Sequence, residues 1–175
     1  MIKLKDILLE STTPDIFIPR RIENRLERMI RLYIKNGSKG TLNLQHSNLT
    51  VLPEMLKDIT VDGSFYCGNN HLTTLENCPK TVGGSFYCGH NKLTSLDGAT
   101  EYVGGSFYCS FNNLKSLQCA HIIVGGDFYC YDNELKSLFG APETVGGDFY
   151  CYNNPGNFTE EQVRAVCDVK GKIFV

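Results

Sequence analysis

Apolar and polar residues alternate within one short phrase that returns along the chain at a fixed interval. The phrase reads VGGSFYC at 82–88 and 103–109, VGGDFYC at 124–130 and 145–151, and VDGSFYC at 61–67. The valines that open it are each 21 residues apart, with no insertion or deletion. A period of this length predicts a solenoid, in which each repeat is one coil that buries its apolar face only against neighbouring coils.

The alternation also predicts which side chains face the core. Successive side chains of a strand point to opposite faces, so Phe and Cys should point inward while Ser and Tyr point outward. An Asn follows each Cys at the third position, and we expect its buried amide to satisfy backbone groups at the turn. The Gly pair is expected to allow a tight corner, with φ values that a side chain would resist. The predicted inward columns are Phe65, Phe86, Phe107, Phe128 and Phe149; Cys67, Cys88, Cys109, Cys130 and Cys151; and Asn70, Asn91, Asn112, Asn133 and Asn154.

Two leucines complete each repeat, as Leu93 and Leu96 do after Asn91. This pattern resembles the leucine-rich repeat, in which a short strand precedes an Asn and a Leu. Phe and Cys here replace two of the strand leucines, whereas the coil at 42–56, LNLQHSNLTVLPEML, keeps them. The resemblance covers roughly residues 40–158. It implies an α/β solenoid with a parallel β-sheet on the concave face and an irregular convex side.

Residues 1–39 are predicted to form a helical N-terminal cap, because a solenoid must cover the core of its first coil. A short amphipathic helix is expected at 2–10. A second is expected from Pro19 to about Lys35, where Asn-Gly ends it. The predicted apolar face of the second helix is Ile22, Leu26, Met29 and Tyr33, with Ile30 and Ile34 beside it.

Residues 159–175 are predicted to form the C-terminal cap. Thr159 and Gln162 have the spacing of a capping box, which marks the start of a helix. Val163, Val166 and Cys167 are expected to face the last coil. The apolar tail at 169–175 is expected to lie along that end as an extended segment.

Composition agrees with one domain but divides the charge unevenly. The chain has 175 residues, 42% of them hydrophobic. Residues 1–39 carry a net charge of +4 and the remainder −6, which together give −2. The basic helix could contact nucleic acid or an acidic partner; the alternative is the solvated face of a cap.

Eight cysteines would suit a disulfide-rich secreted protein, but five fall on the inward strand column. That placement is typical of small buried hydrophobes and favours reduced thiols in a cytosolic protein, with a disulfide between neighbouring coils as the alternative. No Cys-x-x-Cys occurs and only His90 stands beside a repeat cysteine, so neither a metal site nor a cofactor is expected. The opening MIKLKDILLE lacks the apolar run of a signal peptide, and no membrane partner is expected.

The outward tyrosines are the main candidate for a binding surface. Strands about 4.8 Å apart would align five of them in a ridge roughly 20 Å long. Such an aromatic strip is unusual without a partner, and Tyr is favoured at interface hot spots; a purely structural ladder is the alternative. Side chains just after the strand vary between coils, which favours binding there. The predicted partner-binding residues are Tyr66, Tyr87, His90, Tyr108, Phe111, Asp127, Tyr129, Tyr131, Asp148, Tyr150 and Tyr152.

Three classes of function are compatible with this architecture to different degrees. Solenoids commonly bind proteins on their concave face, so we predict a non-enzymatic protein–protein interaction module whose partner is an unknown protein. A single-stranded nucleic-acid binder would use the tyrosines as a stacking platform, but such grooves are also basic and this face carries Asp127 and Asp148. An enzyme is not expected, because no Ser-His-Asp, Cys-His or paired carboxylate set stands out from the columns.

A narrower resemblance concerns the source. The opening KLKDILLE, together with the segment from Ser137 to Asn154, is similar to small leucine-rich repeat proteins of tailed bacteriophages and some bacteria. This resemblance implies a protein that acts on a host factor in the cytoplasm of the infected cell, or a structural component of the virion.

Overall fold

The computed structural model describes residues 25–118 and 122–175 and shows a parallel β-solenoid. Helix α1 spans Arg25–Lys35, and a single 3₁₀ turn occupies Glu54–Leu56. A second helix, α2, spans Glu160–Arg164. The strands are β1 (Leu42–Asn43), β2 (Thr60–Val61), β3 (Phe65–Tyr66), β4 (Thr81–Val82), β5 (Phe86–Tyr87), β6 (Tyr102–Val103), β7 (Phe107–Tyr108), β8 (Ile123–Val124), β9 (Phe128–Tyr129), β10 (Thr144–Val145), β11 (Phe149–Tyr150), β12 (Asp168–Val169) and β13 (Ile173–Phe174).

The strands form two parallel sheets, because each repeat contributes one short strand to each. The tyrosine sheet has seven strands in the order β1-β3-β5-β7-β9-β11-β13. The valine sheet has six, in the order β12-β10-β8-β6-β4-β2. Between repeats the register pairs identical positions, such as Phe86 with Phe107 and Val82 with Val103. The 21-residue period is therefore one turn of the solenoid.

The fold is mostly β, so the expected α/β class is wrong, whereas the expected parallel sheet is present and is accompanied by a second parallel sheet. The return segments are too short to form helices, and they close only single turns, in which Ala99 N–H donates to Leu96 O and Ala141 N–H to Leu138 O. The residue pair before the glycines forms the second sheet, because Val, Ile, Thr and Tyr favour strands and the valine of each pair lies in register with the valine of the next coil.

The three predicted inward columns are confirmed. All five Phe side chains have no exposed surface, and the five strand cysteines are at most 2% exposed. A fully buried Phe contributes roughly 1.5–3 kcal/mol, so the Phe column is a large part of the cohesion between coils. Valines from the other sheet, including Val82 and Val103, complete the core.

The asparagine column binds each coil to the one before it. Asn112 Oδ1 accepts the N–H of Leu93, and Asn112 Nδ2 donates to the carbonyls of Cys88 and Cys109. The same contacts recur along the column from Asn70 to Asn154. The predicted role of these amides is therefore confirmed.

The Gly pairs are required for a different reason from the one expected. Their φ angles are not positive; the crowding comes from the neighbouring coil. A Cβ on Gly104 would overlap the carbonyl oxygen of Gly83 in the preceding coil. Asp62 occupies the equivalent place after β2, the edge strand of the valine sheet, and its N–H donates to Ser38 O.

Helix α1 packs beside the first coil through Ile30, which is fully buried. Tyr33 anchors the chain after the helix, since its hydroxyl donates to the carbonyls of Ser38 and Gly40. Met29 was expected on the buried face but is 39% exposed. The predicted helix at 2–10 and Ile22 lie outside the described residues.

At the other end, the predicted capping box is confirmed. Thr159 Oγ1 accepts the N–H of Gln162, and the Gln162 side chain accepts the N–H of Thr159. Val163 and Cys167 are buried as expected, whereas Val166 is 49% exposed. Whether either helix acts as a cap is a matter of stability and stays a prediction.

The tail is extended, as predicted, and it adds a further strand to both sheets. Asp168–Val169 pairs with β10 and Ile173–Phe174 with β11. Phe174 thereby lies in register with Tyr150. This last pairing spans 24 residues rather than 21, because the chain forms α2 on the way.

Candidate functional site

The tyrosine face, the outward side of the tyrosine sheet, carries a continuous stack of six aromatic rings. Neighbouring ring centroids lie 4.1–4.5 Å apart, and the ring planes differ by 2–19°. The rings are therefore stacked face to face along the solenoid axis. The members of this tyrosine ladder are Tyr66, Tyr87, Tyr108, Tyr129, Tyr150 and Phe174.

Because the rings stack face to face, the tyrosine ladder exposes little aromatic surface to a partner. Both faces of Tyr87, Tyr108 and Tyr129 are covered by neighbouring rings, so only ring edges and hydroxyls point outward. Each ring pair contributes about 0.5–1.5 kcal/mol beyond the area it buries. A base stacks on a ring face, and the interior rings have none available. The ladder is thus a cohesive element between coils.

A second ladder runs beside it through the residue before each Phe. The side-chain oxygen of this residue accepts the backbone N–H of the equivalent residue in the next coil at 2.7–3.1 Å. Sequence reasoning had placed these residues on the face without finding this bond. The acceptors, in order, are Ser64, Ser85, Ser106, Asp127 and Asp148.

The two carboxylates also hold the neighbouring tyrosines. Tyr129 Oη donates to Asp127 at 2.9 Å, and Tyr150 Oη donates to Asp148 at 3.2 Å. Burial, and then the hydrogen bond and charge of Asp127, raise the pKa of Tyr129 well above its ordinary value of 10.0. Burial and Asp148 act in the same direction on the pKa of Tyr150.

A second aromatic row lies beside the ladder, at the positions that follow the strand cysteines. His90 stacks on Phe111 with centroids 4.3 Å apart and planes 9° apart. Phe111 meets the Tyr131 ring edge-on at 5.5 Å, and Tyr131 stacks on Tyr152 at 4.7 Å. Tyr131 also touches the ladder, since its ring lies edge-on to Tyr129 at 6.3 Å. The structure thus brings all the predicted site residues onto one continuous surface.

Phe111 has an unusual backbone conformation for its type. Its φ is +57°, in the left-handed region. The same position is left-handed in the other coils, where Asn or Asp stands at 69, 132 and 153 and His at 46 and 90. Asn, Asp and His tolerate this region several-fold better than bulky apolar residues do. Phe111 is nevertheless present, and its side chain is 43% exposed.

A groove lies between the two aromatic rows. It has a volume of about 150 Å³, and its walls include Tyr87 and Tyr108 on one side and His90 and Phe111 on the other. Gly68, Gly89 and Ser110 stand between the rows and leave this space open. The same position carries Tyr in the next two coils, and Tyr131 closes that end of the groove.

Residues outside the predicted set add to this surface, two of them at the variable positions after the strand. Gln45 from the first coil and Asn69 line the groove beyond the predicted set. Asp132 accepts a hydrogen bond from Asn153 Nδ2 at 3.1 Å in the second row. Phe174 ends the ladder, and the 24-residue spacing had hidden it.

The cysteine column has the chemistry of a packed core. Burial, and then the neighbouring thiols, raise the pKa of Cys88 and Cys130 far above the ordinary value, so these thiols are not activated as nucleophiles. No disulfide joins two cysteines within residues 25–118 and 122–175. The same ranges contain no cluster of His, Cys, Asp or Glu arranged to hold a metal ion. None of the helices described there is long and apolar enough to span a bilayer.

The sequence matches no protein-family profile, no curated protein and no solved structure.

Proposed function

We propose that this chain is a non-enzymatic protein-interaction module that binds a partner protein at the groove of its tyrosine face. The observation that carries the proposal is that Phe111, a large apolar residue, is exposed and has a left-handed backbone. A left-handed backbone costs about 1–2 kcal/mol for most residues with a Cβ and less for Asn or Asp, whose side chains hydrogen-bond locally, and the fold does not need Phe there, since Asn69 and Asn153 occupy equivalent positions. Strain combined with exposed apolar surface is expected where a partner covers the residue.

The groove has the make-up of an interface centre. Its walls are aromatic and its rim offers neutral amides from Gln45 and Asn69. Among residues 25–118 and 122–175, no Lys, Arg, Asp or Glu side chain lines it. Binding energy usually concentrates in such desolvated aromatic pockets, with polar groups at the edge. His90 supports Phe111 from one side and Tyr131 from the other, so the aromatic wall is already ordered before a partner arrives.

The repeat pattern supports two narrower proposals. The coils are of the leucine-rich type, with the tyrosine face as the concave side and α1 and α2 as caps. The resemblance to small bacteriophage proteins further supports a host factor as the partner, met in the cytoplasm. A structural role in the virion is the alternative, and there the same surface would contact another virion protein.

Single-stranded nucleic acid is less well supported as the ligand. The ladder covers its own ring faces, and Asp127, Asp132 and Asp148 would repel phosphates. A labelled oligonucleotide of mixed sequence provides the direct comparison. Binding of this oligonucleotide that depends on Phe111 would favour the nucleic-acid function instead.

The experiment compares tagged wild-type protein with Phe111→Asn in pull-downs from bacterial host lysate. Any captured protein is then purified, and its dissociation constant is measured by calorimetry. We expect Phe111→Asn to weaken binding at least about tenfold, as loss of a hot-spot aromatic does. The unfolding free energy should change by less than about 1 kcal/mol, because relief of strain offsets the lost stacking on His90.

Phe139→Asn is the matched control, since Phe139 is 67% exposed but lies away from the tyrosine face. This variant should bind as the wild type does. Equal affinity for wild type and Phe111→Asn, or an equal loss in both variants, would refute the proposed function. Phe111 alone is a cleaner target than Tyr108, whose ring is stacked on both sides and supports the fold.

A further inference from the structure

The residue before each strand Phe changes from Ser to Asp halfway along the solenoid. Ser64 and Ser85 accept the next coil's N–H at 3.0 and 3.1 Å, and Asp127 does the same at 2.8 Å. A hydroxyl therefore serves this hydrogen-bond ladder as well as a carboxylate does. The negative charge of Asp127 and Asp148 is not needed for the ladder.

The charge also carries a structural cost. Strands β9 and β11 are paired in register, so Asp127 and Asp148 stand about 4.8 Å apart along the axis. Like charges directly opposite each other on neighbouring strands are destabilising. Asp132 adds a third carboxylate on the same half of the face. Within the described residues, no Lys or Arg forms an ion pair with any of the three.

The two halves of the tyrosine face therefore differ in chemistry. The half that contains Tyr87 and Phe111 offers a neutral aromatic groove of about 150 Å³. A cavity of that volume accommodates a benzene-sized ring. The half that contains Asp127 and Asp148 has an excess of negative charge, since Lys172, which lies in register beside Asp148 just before β13, is one cation against the three carboxylates. A partner that complements both halves needs an aromatic side chain and a positive charge.

We propose that the partner segment inserts one aromatic side chain into the groove and sets Lys or Arg side chains against Asp127 and Asp148. This inference rests on the proposed function, because it specifies the segment that the groove binds. From the coil of Phe111 to those of Asp127 and Asp148 is one to two strand spacings, about 5–10 Å. An extended segment rises about 3.3 Å per residue, so the aromatic and basic residues should be about two to three positions apart.

The test uses fluorescein-labelled peptides with one Trp and two Lys in a Gly-Ser background. Four peptides place the Lys pair one to four residues from the Trp, and fluorescence anisotropy reports binding. The wild-type protein should bind best at a spacing of two or three, and replacing Trp by Ala or the Lys pair by Glu should abolish binding. No wild-type binding at millimolar peptide, or equal binding at every spacing, would overturn the inference.

The decisive protein variant is Asp127→Ser/Asp148→Ser, which keeps the hydrogen-bond ladder and removes the charge. We expect at least a tenfold loss of peptide affinity and a weaker dependence on salt. The variant should stay folded with a small loss of stability, because the hydroxyls of Tyr129 and Tyr150 lose a carboxylate acceptor. Glu76→Gln/Glu101→Gln removes the same net charge from exposed positions elsewhere and should bind as the wild type does. Equal affinity of the Ser variant and the wild type would contradict the proposal.

The captured partner separates the two proposals. If the partner requires Phe111 but binds the Asp127→Ser/Asp148→Ser variant unchanged at all salt concentrations, the groove function stands and the basic segment is wrong. If the partner and the peptides bind Phe111→Asn as tightly as the wild type, the proposed function itself fails. Preference for an oligonucleotide over every peptide would overturn both.

Discussion

Replacing Asn112 by Ala tests whether the asparagine column holds the coils together. Asn112 lies in the middle of the solenoid, and its side chain makes four hydrogen bonds. The loss of these bonds affects their partners differently. The carbonyl of Cys88 keeps the amide of Asn91 as a partner, and the carbonyl of Cys109 keeps that of Asn133. The buried N–H of Leu93 loses the acceptor that Asn112 Oδ1 supplies.

The expected loss of unfolding free energy follows from these hydrogen bonds. A buried donor left without a partner costs about 1–3 kcal/mol, and the remaining lost bonds add about 1 kcal/mol net because their acceptors stay partly satisfied. The substitution should therefore lower the unfolding free energy by about 2–4 kcal/mol. In a chain of this length that corresponds to a fall in Tm of about 5–15 °C.

The measurement is urea and thermal unfolding followed by far-UV circular dichroism. Asn113→Ala is the matched control, because Asn113 is the next residue, has an exposed side chain and contributes only its backbone N–H to Leu93 O. It should change stability by under about 0.5 kcal/mol. If the two variants unfold within about 0.5 kcal/mol of each other, the column is not a source of cohesion and the reasoning is refuted.

Three further predictions concern the core, the first coil and the tyrosines. Native protein should resist thiol reagents until urea unfolds it, because burial raises the pKa of thiols such as Cys88; rapid labelling of folded protein would contradict a packed column. Ile30→Asp should destabilise the fold by several kcal/mol and Met29→Asp by much less, in urea unfolding; similar effects would mean that α1 does not cover the first coil. Because the fold raises the pKa of thiols such as Cys88 above 9.0 and that of Tyr129 above 10.0, stability should fall once the pH exceeds about 9, as the unfolded thiols ionise first, and fall more steeply above pH 10; Asp127→Ser should reduce the slope above pH 10, and an unchanged slope there would refute the assignment.

The inward columns could be predicted because two constraints agree at every position. Alternation within a strand fixes which side chains face inward, and identical repeats in register fix which side chains meet. Phe107 can only lie against Phe86 and Phe128 once both hold. An Asn at the end of such a strand is then confined to the core, where its amide must find backbone partners.

The second sheet was missed because its strands carry too little pattern. Two residues such as Thr81–Val82 contain a single inward side chain, so no alternation can be detected. The final coil was missed because helix α2 lengthens it. Ile173 and Phe174 take the places of Phe and Tyr, a substitution that fits the columns but not the period.

The geometry of the candidate binding surface could be predicted only in part from the sequence. Sequence placed the tyrosines outward, but the side-chain torsions that turn each ring against its neighbour depend on having a ring in the next coil. The left-handed backbone at the position of Phe111 could have been predicted from the sequence. Asn69, His90, Asp132 and Asn153 share one column, and these residue types are enriched in that backbone region. Against this column, Phe111 is the exception.

In a repeat protein, invariant positions indicate what the fold requires, and exceptions to them indicate requirements other than the fold. In an invariant column the same residue makes the same contacts in every coil. Stacking on Tyr87 and Tyr129 therefore explains why Tyr108 is a tyrosine, although its ring edge points outward. An exception can strain the backbone or set two like charges side by side, and either change has a cost that the common residue of the column avoids. Phe111 and the Asp127–Asp148 pair are both exceptions of this kind, and they lie on neighbouring coils of one face. Because these exceptions lie about 5–10 Å apart, a single ligand on this face can contact both, as we propose.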